Sequence, residues 1–221
     1  WRLSTVYLVG DILPPYREGD IAMTGPLNTS DKLLLAAIDL MAEKGYHATT
    51  TKEIAAAAGV NEVTLFRHFG SKQKLLEAAF DKYHYGDEMT KLFREKLVWE
   101  LQPDLLLISR TYHTIMARNR KMIMIGIKEG NNIPGVNERA SRHPQKLKQL
   151  LSEYFSEMKK QGKLRDDVNP DLQALSFMWM NYGAFVTGMS TGGVSAGVSV
   201  DEFIEESVRT FVRALTPAPV N

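Results

Sequence analysis

The sequence predicts an all-α fold, and three observations carry that expectation. Apolar residues recur at helical spacing through most of the chain after Ser30. Helix start and stop signals cut this pattern into helix-sized pieces. Between Thr50 and Gly70, two short capped helices meet at a glycine. The architecture expected is a three-helix head built around a helix-turn-helix, followed by a longer helical body. With 221 residues, 44% of them hydrophobic and 24% charged, the chain has material for a small domain and a larger one.

Residues 1–27 read as an extension outside this pattern. Gly10, Pro14-Pro15, Gly19 and Gly25 punctuate them, and Val6-Tyr7-Leu8-Val9 is too short for the apolar segment of a secretory signal. Arg17-Glu18-Gly19 can be encoded by an unbroken purine run, as a ribosome-binding site is, just ahead of Met23. The expectation is therefore a native start at Met23; the alternative is a genuine arm carrying Arg2 and Arg17.

The head is expected over 28–71. Its first helix runs from Ser30 to Lys44, with Leu34, Ala37, Ile38 and Met41 as the packing face and Gly45 as the stop. Thr50 and Glu53 stand in the relation of a capping box, so a second helix begins at about Thr51 and offers Ile54, Ala55 and Ala58 as a small apolar face. Gly59 can take the left-handed conformation that ends this helix sharply. Asn61 is a candidate N-cap for a third helix from Val63 to Phe69, and Ser71 caps the next one from Lys72.

The body is expected over 72–215, with a tail at 216–221. A connecting helix runs on from Lys72 through Leu75, Leu76, Ala79 and Tyr83. Pro103 opens a helix from Asp104 to about Arg118, and Asn119 caps a Met-rich one from Arg120 to Glu129. Residues 130–135 form a loop by composition. Pro144 blurs the start of the next helix, whose core face is Leu147, Leu150, Leu151, Tyr154, Phe155 and Met158. Pro170 introduces the most apolar segment, Leu172 to Met189, in which Leu172, Leu175, Trp179, Tyr182, Val186 and Met189 form one stripe while Met178 and Phe185 lie off it. A helix apolar nearly all round must be covered on both sides. The Gly-rich loop after it has no phosphate-binding pattern. The last helix, Asp201 to Leu215, carries Ile204, Val208, Phe211 and Leu215 on one face and a charged row on another.

Glu53-Ile54-Ala55, Ala58-Gly59-Val60, Thr64-Leu65, Phe69, Ser71-Lys72 and Leu75-Leu76, preceded by an amphipathic helix and Gly45-Tyr46, resemble the N-terminal pattern of the TetR family of bacterial repressors. The resemblance is detailed from Leu33 to about Phe80 and extends in layout to the C-terminus. It implies a homodimer that binds double-stranded DNA through the head and a small-molecule effector through the body, with no cofactor. Carried over by position, Thr50, Thr51 and Lys52 would face phosphate or base, Asn61, Glu62 and Thr64 base edges or backbone, and Arg67, His68 and Lys72 phosphates. Two departures stand out. Phe66 occupies the position of a phosphate-touching Tyr, and Arg67-His68 replaces a His-Tyr pair; Arg67 can supply the missing anchor because a guanidinium grips phosphate or guanine bidentately. Glu62 makes sense beside DNA only if it accepts from cytosine or turns away.

The resemblance also implies an effector pocket in the body. Trp99, Tyr112, His113, Met116, Met122, Met124, Phe177, Met178, Asn181 and Tyr182 are its candidate lining, since Met and aromatics make adaptable apolar walls and a few polar groups orient a ligand. The last two helices resemble the family's dimer-forming pair, which makes Leu175, Trp179, Val186, Ile204, Val208 and Phe211 candidate interface residues.

Composition narrows the alternatives. The net charge is +1, and between Asn28 and Tyr85 seven basic side chains are balanced by seven acidic ones, so DNA binding would depend on placement rather than on total charge. Five scattered histidines and no cysteine give no metal-ligand spacing, no disulfide and no thiol chemistry. No catalytic constellation and no membrane-length apolar run is present, and the cytoplasm is the expected compartment. A helical small-molecule-binding protein without operator specificity remains the alternative reading.

Overall fold

The computed structural model describes residues 27–83, 86–191 and 197–218. Among these every regular element is an α-helix: α1 (Thr29–Lys44), α2 (Thr51–Ala57), α3 (Glu62–Phe69), α4 (Lys72–Lys82), α5 (Gly86–Glu95), α6 (Leu101–Arg118), α7 (Arg120–Glu129), α8 (Val136–Lys160), α9 (Pro170–Thr191) and α10 (Val200–Leu215). The expected start at Met23 and the arm with Arg2 and Arg17 fall outside the described residues. No helix among the described residues is long and apolar enough to cross a membrane.

The chain divides into two compact units, and the division differs from a boundary at residue 71. The first unit holds α1–α4 together with residues 118–144. The physical reason is its core. Leu33, Leu34, Ala37, Ile38 and Met41 of α1 pack with Ile54, Leu65, Leu75, Leu76 and Ala79, and also with Met122 and Ile125 of α7. Leu65, fully buried, is the pin that holds α3 to this core; enclosing one such side chain is worth about 2 kcal/mol. Polar contacts reinforce the joints. Asn28 caps α1 by accepting from the Asp31 amide at 2.9 Å, Asp31 pairs with Lys82, and Arg139 reaches Glu77 at 3.2 Å and Asp81 at 3.3 Å. Glu129 of α7 accepts from the Tyr46 amide at 3.3 Å.

The second unit holds residues 86–117 and the described residues from 145 onward. Leu105, Ile108, Ile115, Leu151, Phe155, Met158, Ala174, Phe177, Ile204 and Val208 are among its enclosed side chains. Phe155, Phe177 and Phe211 form a ring cluster with centroids 5.4 to 6.5 Å apart. Asp104, in the first turn of α6, is buried; it accepts from the Val98 amide at 2.8 Å and from the Tyr154 hydroxyl at 3.0 Å.

Several boundaries depart from the sequence pattern. α4 stops at Lys82 rather than running on, and α5 is a separate helix that the apolar period did not announce. α6 begins two residues before Pro103, which sits in the first turn, where its missing N–H has no partner to lose. α8 starts at Val136 and continues through Pro144, which leaves the Ala140 carbonyl without its usual helical donor.

Candidate functional site

The helix-turn-helix forms as its caps dictate. Thr50 accepts from the Glu53 amide at 3.2 Å while the Glu53 carboxylate accepts from the Thr50 amide at 2.9 Å. Lys44 joins the same carboxylate at 2.9 Å, and together these partners hold Glu53 down at about 2. Gly59 turns the chain with φ of +70°, a conformation that costs a residue with a Cβ about 1 to 2 kcal/mol. α3 then starts after Asn61, whose side chain makes no capping hydrogen bond and is left exposed.

With Leu65 turned inward, the opposite side of α3 is open. Val63 is 73% exposed and Phe66 46%, and Arg67 and His68 are exposed beside them. Arg67 makes no hydrogen bond or ion pair among the described residues. Lys52 is exposed at the start of α2, where helix amides also face outward. Thr64 is half-buried. This is a convex helical surface carrying a guanidinium, an amide and two apolar groups, the chemistry that reads base edges and phosphates in a major groove. Val63 was not singled out from the sequence. The signal was there: it stands three and four residues before Phe66 and Arg67, on the same stripe of the helix.

Four of the expected DNA-facing residues, Thr50, Thr51, Glu62 and Lys72, make hydrogen bonds inside the chain. Lys72 donates to the carbonyls of Tyr46 and Thr49, both at 2.8 Å, and its ammonium lies 4.2 Å from the centre of the Tyr46 ring. Burial pushes its pKa down. In the free chain the ammonium's donors are directed at the loop that leads into α2. Glu62 accepts from the Thr51 hydroxyl at 2.6 Å, so Thr51 and Glu62 hold each other. The Thr50 hydroxyl serves the cap.

The body candidates separate into three groups. Tyr112, His113, Met116, Phe177 and Asn181 are all buried in the second unit, with Met178 half-buried. Burial pushes His113 down to about 4, opposed in part by the Asn181 amide beside it. Trp99 and Tyr182 are surface residues instead. Trp99 stacks on Tyr154 at 5.6 Å and is 38% exposed, while Tyr182 is 39% exposed on the outer side of α9. Met122 and Met124 lie on α7 and belong to the first unit, where Met122 is part of the head's core. The ten residues are thus not one cluster, because α7 packs with the head helices.

The family model described as bacterial regulatory proteins, tetR family, matches residues 33–79, and the AefR-like transcriptional repressor C-terminal domain matches 103–216. The HTH-type transcriptional regulator YvkB of Bacillus subtilis is 32% identical over 188 residues, covering 85% of this chain and 97% of that protein. The chain belongs to the TetR family. It is a DNA-binding transcriptional regulator. Solved TetR-like structures share the fold. A putative TetR-family regulator from Mesorhizobium loti has a TM-score of 0.66 at 18% identity, covering 86% of this chain and 97% of that one. NalD of Pseudomonas aeruginosa has a TM-score of 0.66 at 19% identity, covering 87% and 97%.

TetR-family regulators typically act as dimers, which bears on the two faces of α9 in this TetR-family body. Ala174, Phe177, Asn181 and Phe185 point inward. On the opposite face Leu172 is 59% exposed and Trp179 62%, with Tyr182 beside them and Leu175 and Val186 half-buried. On α10 the apolar residues divide between enclosed and half-buried positions. Ile204 and Val208 are enclosed by their own chain, and Phe211, half-buried, packs on Phe177 and Phe155. A side chain already enclosed has little area to give a partner.

Proposed function

We propose that this regulator is a repressor that binds a palindromic operator as a homodimer. Two protomers pair through the outer face of α9 and set two α3 helices in successive major grooves, about 34 to 36 Å apart. The observation that carries this reading is the outward face of α3: Asn61, Val63, Phe66 and Arg67 are exposed together around the buried Leu65. On that face Arg67 grips phosphate or guanine, Asn61 reads a base edge, and Val63 and Phe66 offer apolar surface to thymine methyls. Lys52 and the α2 N-terminus hold phosphate.

Release is assigned to a small lipophilic effector bound in the body, in the cytoplasm. A coupling of ~1 to 3 kcal/mol between the two sites suffices for roughly 5- to 150-fold weaker operator binding. NalD is described as a secondary repressor of the MexAB-OprM multidrug efflux pump, which fits a repressor of this layout.

Hydroxyl-radical footprinting on the DNA upstream of the protein's own gene tests the geometry. Two protected windows one helical turn apart are expected. A single window, or uniform weak protection, contradicts the paired-head reading.

A further inference from the structure

Among the described residues, the interior of the body contains polar atoms that make no hydrogen bond of ordinary geometry. Ser109 Oγ and His113 Nε2 on α6 and Asn181 Oδ1 on α9 are buried with no hydrogen-bond partner. The three residues are 0%, 8% and 3% exposed. An unmade hydrogen bond in the interior is costly, and a group of them in one region asks for a reason.

Their placement is coherent. Ser109 and His113 are four residues apart, one turn above the other on a single stripe of α6. Asn181 lies beside His113, with its amide facing the imidazole closely enough to favour the protonated ring against the effect of burial. Its own NH2 donates to the Phe177 carbonyl at 2.9 Å, which leaves the amide oxygen to accept. Apolar side chains surround the group: Tyr112, whose ring lies 5.7 Å from the imidazole, with Met116 and Phe177. Thr111 also has an unpartnered hydroxyl, but two residues along α6 it faces another side.

Charge decides what such a group can take. No Lys or Arg side chain is buried among the described residues. Arg110, on the same helix, is held by Asp201 at 2.9 Å and Glu205 at 2.8 Å. The buried carboxylate Asp104 is occupied by the Tyr154 hydroxyl and backbone amides. Burial keeps the His113 imidazole neutral at ordinary pH. A carboxylate or ammonium brought here would be desolvated with no counter-charge, whereas a hydroxyl or amide would complete the open donors and acceptors.

We infer that Ser109, His113 and Asn181 form the polar anchor of the effector site, and that the effector is an uncharged molecule with a hydroxyl, amide or carbonyl group on an apolar frame. The inference rests on reading the body as effector-binding. Its test uses no DNA, so its failure is distinct from a failure of operator binding.

The full-length protein is titrated with straight-chain primary alcohols, primary amides, carboxylates and alkylammonium salts, at matched lengths from six to twelve carbons. Thermal melting and the imidazole resonances of 15N-histidine-labelled protein are followed, His113 being assigned by its loss in His113→Gln. Alcohols or amides are expected to raise the melting temperature and move the His113 signals, with at least tenfold weaker binding in Ser109→Ala and Asn181→Leu. The acids and amines are expected to leave His113 unmoved. Binding of a carboxylate that shifts His113 as strongly as the amide does would overturn the inference. So would a whole series that leaves His113 unmoved, since the three groups would then be a buried network with no ligand role.

Discussion

The Thr51 hydroxyl donates to the Glu62 carboxylate at 2.6 Å, tying the first turn of α2 to the first turn of α3. The bond fixes the crossing of the two helices at the end nearest the exposed face of α3, and it places an acid at an α3 N-terminus whose dipole favours it. Glu62 is therefore a positioning residue, and on the proposed DNA-facing surface its charge would oppose phosphate. In Glu62→Gln the hydrogen bond survives and the charge goes, so affinity for random DNA is expected to rise a few-fold, roughly the effect of one surface charge. Glu62→Ala loses the bond and is expected to cost about 1 kcal/mol of stability. Urea unfolding and DNA titration of the two variants separate the roles; identical behaviour of Gln and Ala in both would contradict them.

Arg67 is exposed on α3 with no partner in its own chain among the described residues. Arg67→Ala is expected to weaken operator binding by about 1 to 3 kcal/mol and to reduce the salt slope by about one unit. Titrations at two salt concentrations check both numbers, and an unchanged slope would remove Arg67 from the phosphate contacts.

Much of this was legible in the sequence because local signals decide it. The Thr50–Glu53 capping box, the Gly59 turn and the Ser71 cap are interactions within four residues, and each formed as the pattern required. What was not legible depends on partners far along the chain. Lys72 reads as a basic residue at a helix start, and only the return of the Tyr46–Thr49 loop to its ammonium shows its use. Met122 and Met124 look like pocket residues by type, yet α7 packs on the head. Ile204, Val208 and Phe211 form an apolar stripe that fits a core or an interface equally well; Ile204 and Val208 are enclosed within their own chain, while Phe211 is half-buried against Phe177. On α9 the stripe and its opposite face could both be read, because the helix is apolar on two sides and only one side is covered.

His113 links stability to pH. Its pKa falls from 6.5 to about 4 on folding because burial penalises the charged ring. The unfolded chain therefore takes up this proton first as pH falls, so the contribution is fully present above pH 6.5 and is lost as pH drops towards 4. The expected loss is roughly 3 kcal/mol across that window. His113→Gln carries no such group, so the difference in unfolding free energy between wild type and variant is expected to shrink or reverse from pH 7 to pH 4 in favour of the variant. A pH-independent difference would show that the ring is not buried neutral.

Trp179, 62% exposed at the centre of the outer α9 face, is the expected anchor of the dimer. Trp179→Glu places a charge there and is expected to give monomers by sedimentation equilibrium, with the helical circular dichroism of the wild type retained. Dimers of unchanged affinity would move the interface elsewhere.

The most direct measurement is fluorescence anisotropy of the purified protein on its own upstream DNA, with random-sequence competitor at near-physiological salt. The account predicts saturable binding that resists the competitor, with at least two protomers per site. Binding no tighter than to random DNA, there and at neighbouring promoters, would contradict an operator-reading head.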